Sequence, residues 1–327
     1  MIRTVLGDIE PKDLGVCYAH EHLIIDASVA TMNYPDFKLE SVENGVKELT
    51  EFHAAGGRAM VDSMPCDAGR NVLKLAEISQ KTGVHILCPT GVHLAKYYDP
   101  KHWGNHYTAE QMAELFIADI EQGIDRFDYA GPIVERTKHR AGLVKIATGG
   151  SGITDRARRV FEAAAMTHCK TGAPILTHCE QGEEAPAQAA LLKEHGVDLS
   201  HVVLSHTDRK PDPVYHREVL STGVCVEYDS CFRWPGWADG GIPETESNPS
   251  LDLLVELIDE FPNQIMLGMD AARPAYWKSY GGEPGLNFLL TTFTEMMKAR
   301  GLSEEQWQRI FIANPASTYD FRASFCG

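Results

Sequence analysis

The sequence predicts an α/β fold, and within that class a single (β/α)8 barrel of the TIM type over residues 1–327. Three observations carry this. Eight short β-rich runs alternate with longer helical patterns, the signature of repeated βα units. No G-x-G-x-x-G turn follows the first run, which disfavours a doubly wound sheet with a dinucleotide fingerprint. The longer loops, 91–107, 229–248 and 271–285, all follow strand C-termini, the face where a barrel builds its active site.

The strands, in order, are VCYAH (16–20), RAMVDS (58–63), VHILCPT (84–90), GLVKIAT (142–148), PILTHCE (174–180), HVVLSHT (201–207), VCVEYDS (224–230) and QIMLGMD (264–270). Between them lie SVENGVKELTEFHAAG, RNVLKLAEISQKTG, AEQMAELFIADIEQG, DRARRVFEAAAMTHCKTG, EAPAQAALLKEHG, DPVYHREVLSTG and PSLDLLVELIDEF. Across the third of these and the residue that follows it, Met112, Leu115, Phe116, Ile120 and Ile124 fall near helical spacing. Several patterns end at a glycine, as a left-handed C-terminal cap requires. A last helix begins at Ser303, with Gln306 at capping-box distance.

Composition narrows the function. The formal net charge is −16, which repels nucleic acid and anionic membranes. No apolar run approaches the ~20 residues of a membrane helix, and the N-terminus lacks a signal-peptide core. The eight cysteines form no Cys-x-x-Cys pair, which argues against a zinc ribbon and fits free thiols in a reducing, cytoplasmic setting. The expected partner is a small molecule, with neither nucleic acid nor membrane.

The polar residues inside apolar strands carry the chemistry. Alternation in an extended strand puts His20 and His22 on one face and Glu21 on the other. Lys145, His178, His206 and Asp270 lie in or at the ends of later strands. Taken singly, each reads as a hydrogen-bonded core residue or a loop cap. In a barrel they share one mouth. Burying six ionisable groups together is costly unless a metal compensates, and imidazole with carboxylate suits zinc, manganese or iron. Lys145 has three readings: an ion pair with Asp270, a Schiff-base nucleophile, or an amine carboxylated by CO2 into a bridging ligand.

The landmarks GVCYAHEHL, AELFIADIEQGI, AGLVKIATGGSGIT, PILTHCEQG, LSHTD and GMD run from Gly15 to Asp270. In that order they resemble the phosphotriesterase-like branch of the amidohydrolase superfamily. The family's usual Thr-Leu before His-x-His is Cys17-Tyr18 here, a departure that touches packing. The resemblance implies two divalent ions: zinc, or manganese, cobalt or iron in its place. It implies His20, His22 and Asp270 on the more buried ion, His178 and His206 on the other, and carboxylated Lys145 bridging them. It further implies attack by a metal-bridging hydroxide, with Asp270 as the catalytic proton acceptor. A homodimer is one assembly the resemblance allows. Glu180 and Asp208 follow ligand histidines and read as groups that orient them.

The loops point to the substrate. Tyr98, Arg233, Arg273 and Tyr276 bring Arg and Tyr donors to the mouth of an acidic protein, which suits a phosphate or carboxylate. The Arg-x-x-Tyr spacing and the YWKSYGG that follows look like the phosphorylated sugar lactonases. The expected activity is therefore a zinc-dependent hydrolase opening an anionic sugar lactone. The alternatives are a phosphotriesterase or carboxylesterase, an N-acyl amide hydrolase on the same ligands, and a metal-binding barrel without turnover.

Overall fold

A computed structural model describes residues 1–230 and 248–322. The chain opens with an antiparallel hairpin, β1 (Ile2–Thr4) and β2 (Gly7–Ile9). The barrel strands follow: β3 (Cys17–Glu21), β4 (Ala59–Asp62), β5 (His85–Leu87) with β6 (Pro89–Gly91), β7 (Leu143–Thr148), β8 (Ile175–Cys179), β9 (Val202–Ser205), β10 (Cys225–Tyr228) and β11 (Ile265–Leu267). All eight predicted strands are present, the third divided at Cys88. Pairing is parallel throughout, in two ladders: β3–β4–β5 and β6–β7–β8–β9–β10–β11.

The ladders meet at two seams. At one, the chain itself runs from β5 into β6. At the other, Met269 N and Asp270 N both donate to His20 O, at 3.2 and 3.0 Å, so β11 is tied to β3 without a regular ladder. Glycine is required there: a Cβ on Gly268 would stand 2.6 Å from His20 O.

The helices fall on the predicted patterns. They include α2 (Val42–Ala54), α3 (Val72–Thr82), α4 (Ala109–Glu121), α5 (Asp155–Thr171), α6 (Ala185–Glu194), α7 (Pro213–Ser221) and α8 (Pro249–Leu257). Gly83 and Gly172 cap α3 and α5 in the left-handed region, φ 72° and 74°. The Ser303–Gln306 capping box starts α10 (Glu304–Gln308). The hairpin, α1 (Val29–Asn33) and α9 (Thr292–Ala299) were not anticipated; two of them are too short for a periodicity to register.

Alternation sorts the core. Cys17, Ala19, Ala59, Val61, Leu87, Leu143, Leu176, Val203, Cys225 and Met266 fill the barrel interior. Their neighbours Tyr18, Met60, Ile86, Val144, Ile175, Leu204, Val226 and Leu267 pack outward with the helices. Among the described residues Cys17, Cys66, Cys88, Cys179 and Cys225 are free and buried. Cys169, on α5, is disulfide-bonded, which corrects the expectation of free thiols throughout. The C-terminal end of the same helix is capped by Gly172, whose O accepts from Arg322 N at 3.3 Å.

Candidate metal centre and cavity

The same alternation aims the chemistry. Counting from the interior residues, Lys145, His178, Glu227 and Met266 share the inward parity of their strands. His20 and His206 have the wrong parity, since Ala19 and Val203 already point inward. Two irregularities bring them to the mouth. The β3–β4 register shifts between Tyr18 and Glu21, a bulge that re-aims His20. His206 adopts a left-handed backbone, φ 64°, as does Asp270, φ 46°. Such conformations are costly for residues with a Cβ and persist where the surroundings hold them. Asp229 holds His206 twice: its carboxylate accepts from His206 N at 2.9 Å and from Nδ1 at 2.7 Å.

Each ring is oriented by its hydrogen bond. His20 Nδ1 donates to Glu227 Oε2 at 2.9 Å, so the neutral ring leaves Nε2 bare. That bare nitrogen faces Asp270 Oδ1 at 3.6 Å, and His22 Nε2 faces the same oxygen at 3.1 Å. Two imidazoles and a carboxylate thus converge on one point, with His22 Nδ1 buried and unpartnered among the described residues. His206 and His178 follow the same rule. Asp229 takes Nδ1 of His206, and Glu180 Oε2 takes Nε2 of His178 at 2.7 Å, leaving the opposite nitrogen bare in each. Carboxylate–histidine pairs of this kind fix the tautomer a metal requires.

Electrostatics point the same way. Glu21, Asp62, Asp208, Glu227, Asp229 and Asp270 are buried around these rings. Burial and Asp229 push Glu227 well above the usual carboxylate range, and burial holds His20 and His206 well below the usual imidazole range. Neutral imidazoles and an excess of buried carboxylates form a donor set that fits divalent cations. Lys145 is 1% exposed and its Nζ donates to Ser205 Oγ at 3.3 Å. No carboxylate among the described residues lies within ion-pairing distance, so the Lys145–Asp270 pair does not form. Burial pushes this amine down to about 8, against the pull of Glu227, Asp229 and Asp270. Asp270 pairs instead with Arg209, whose Nη2 lies 3.1 Å from Oδ2 and whose Nε donates to Ser230 Oγ.

These groups floor a cavity of about 530 Å³, walled by Ile25, Phe37 and Met64 and by the loop residues Tyr97, Arg273 and Tyr276. Tyr98, expected there, is absent from the lining. Its side chain turns inward, and its hydroxyl accepts from His93 N and donates to Cys66 O. Tyr97 takes its place, since a 3-10 turn at Ala95–Tyr97 sets the direction and no alternation governs it. Arg273 stacks on Phe37, 4.9 Å from the ring centroid, and its Nε lies 3.2 Å from Asp36. Arg233 lies outside the described residues. Glu180 orients His178 as expected, but Asp229, not Asp208, orients His206; Asp208 accepts from Ser230 N. Glu227, Asp229 and Arg209 escaped the sequence reading. The two acids alternate within VCVEYDS, a pattern as telling as His-x-His.

A parallel barrel that gathers neutral histidines and carboxylates at its strand C-termini defines a class of metal-dependent hydrolases. The phosphotriesterase family model matches residues 1–319, and the chain belongs to that family. It is 33% identical over 330 residues to a phospho-furanose lactonase of Mycoplasmopsis synoviae, covering 98% of this chain and 91% of that one. Among solved structures it is similar to an amidohydrolase from Mycoplasma synoviae, with a TM-score of 0.92, 31% identity, and coverage of 99% and 93%. It is also similar to a lactonase from Listeria monocytogenes, with a TM-score of 0.86, 28% identity, and coverage of 98% and 99%.

Proposed function

We propose that the protein is a lactonase that opens phosphorylated sugar lactones, acting as one barrel domain over residues 1–327. The observation that carries the reading is the convergence of His20 Nε2 and His22 Nε2 on Asp270 Oδ1. His20, His22 and Asp270 would hold one divalent ion, His178 and His206 a second, and Lys145, carboxylated, both. Zinc suits this donor set. When bound, such ions acidify a water and polarise the acyl oxygen.

The chain's own groups do the rest. Asp270 accepts the attacking water's proton at a carboxylate oxygen and returns it to the departing ring oxygen. Arg209 fixes the rotamer of Asp270 from the side. Arg273 and Tyr276 hold the anionic group, supported by their place in the cavity wall of an otherwise acidic protein. Relatives named for a phospho-furanose lactonase activity support the same substrate class. No helix among the described residues is long and apolar enough to cross a membrane.

A second reading, phosphotriester hydrolysis on the same ligands, is favoured by the apolar wall of Ile25, Phe37 and Met64. Assays of the zinc-loaded protein on phosphorylated lactones, unphosphorylated lactones and a neutral aryl phosphotriester separate the two. The lactonase reading expects kcat/KM highest for the phosphorylated lactone. Faster turnover of the triester than of every lactone would overturn it.

A further inference from the structure

His93 is fixed by three contacts, and none of them uses Nε2. Its backbone N donates to the Tyr98 hydroxyl at 2.8 Å, and its carbonyl accepts from Arg156 Nη1 at 3.0 Å. Leu94 N donates to Nδ1 at 2.7 Å. A nitrogen that accepts a backbone N–H carries no proton, so the ring proton is on Nε2. The ring stands edge-on to Tyr97 and to His178, with centroids 4.7 Å from each. It lines the cavity, is otherwise buried, and Nε2 has no partner among the described residues. An N–H held this firmly in the cavity wall is pre-oriented to meet a ligand oxygen in place of solvent.

We propose that His93 is a substrate-contacting residue whose Nε2–H donates a hydrogen bond to an acyl oxygen of the ester beside His178. The inference rests on the reading of this cavity as a site of acyl hydrolysis. No proton is transferred in this role; the donor stabilises charge that develops on oxygen. Tyr98 and Arg156 then serve as positioning residues that hold the imidazole backbone.

Three variants separate donation from packing. His93→Gln keeps a donor near the Nε2 position. His93→Asn keeps an acceptor for Leu94 N but does not reach the cavity, and His93→Phe keeps only bulk. With zinc content and Tm near wild type, kcat/KM on a five-membered sugar lactone should fall about 10²-fold in the Asn and Phe variants. The Gln variant should recover to within roughly tenfold of wild type. An unchanged Phe variant, a Gln variant as slow as Phe, or loss of zinc or fold in all three would overturn the proposal.

A second measurement does not depend on turnover. In 15N-histidine NMR of the zinc-loaded protein, the resonances absent from His93→Asn should report a proton on Nε2. That N–H should shift when the lactam analogue of the sugar lactone is added to saturation. A proton on Nδ1, or no shift, would overturn the proposal even if lactone hydrolysis itself were not observed.

Discussion

Glu21, the residue between the two histidines, clasps the peptide groups on either side of Asp270. Its Oε1 accepts from Met269 N at 2.8 Å and its Oε2 from Ala271 N at 3.3 Å. The carboxylate is fully buried. One short stretch of β3 therefore supplies two imidazoles and the brace that sets the third candidate ligand in its left-handed conformation.

That brace can be tested directly. Hydrogen bonds to a buried charged group contribute about 1.5–3 kcal/mol each. Glu21→Ala should lower unfolding free energy by roughly 2–4 kcal/mol, within the range for breaking a buried charged network. Metal affinity should fall as well, because Asp270 is no longer held. Denaturant melts with metal titration of the variant check both; unchanged metal affinity would mean that Asp270 needs no brace.

The loop after β11 has its own anchor. Glu48 on α2 is buried, and its carboxylate accepts from Ser279 N at 2.6 Å and Leu286 N at 3.0 Å. This loop carries Arg273 and Tyr276. Glu48→Ala should raise KM for a phosphorylated lactone several-fold while leaving metal content unchanged. Steady-state kinetics beside metal analysis provide the check.

The proposed carboxylation of Lys145 would depend on pH through the free amine, which would attack CO2 and release a proton. A folded-state pKa lowered to about 8 from an ordinary lysine value means that the neutral amine becomes scarce below pH 8 and plentiful above it. Metal reconstitution of metal-free protein at limiting CO2 should therefore rise with pH across that window, and added bicarbonate should accelerate it. Lys145→Ala should lose the effect and regain metal binding with a short carboxylic acid. A rate independent of both pH and bicarbonate would count against the carbamate.

Arg273 tests the anion assignment. Arg273→Ala should reduce kcat/KM about 10- to 100-fold on a phosphorylated lactone, the loss of one charge-assisted contact. Its unphosphorylated counterpart should lose little. Equal losses on both would show that Arg273 does not bind a phosphate.

Much of this was legible in the residues because a strand repeats every two positions. Lys145 and His178 lie at the parity that their apolar neighbours define. His20 and His206 do not, and no propensity foretells the bulge in β3 or the left-handed turn at His206; tertiary contacts with Asp229 and β4 impose them. Glu227 and Asp229 also lie at the parity of Cys225, so the same two-residue repeat aims them at the histidines. Tyr97 and Tyr98 could not be told apart, because a 3-10 turn has no two-residue period and one tyrosine goes to the cavity while the other braces His93.

The most direct measurement is the metal content of wild type and His20→Ala, taken with the lactone hydrolysis rate of the same samples. Wild type should hold two divalent ions per chain, and His20→Ala should lose the ion shared with His22 and Asp270 together with the activity. A His20→Ala protein that keeps both ions and the full rate would contradict it.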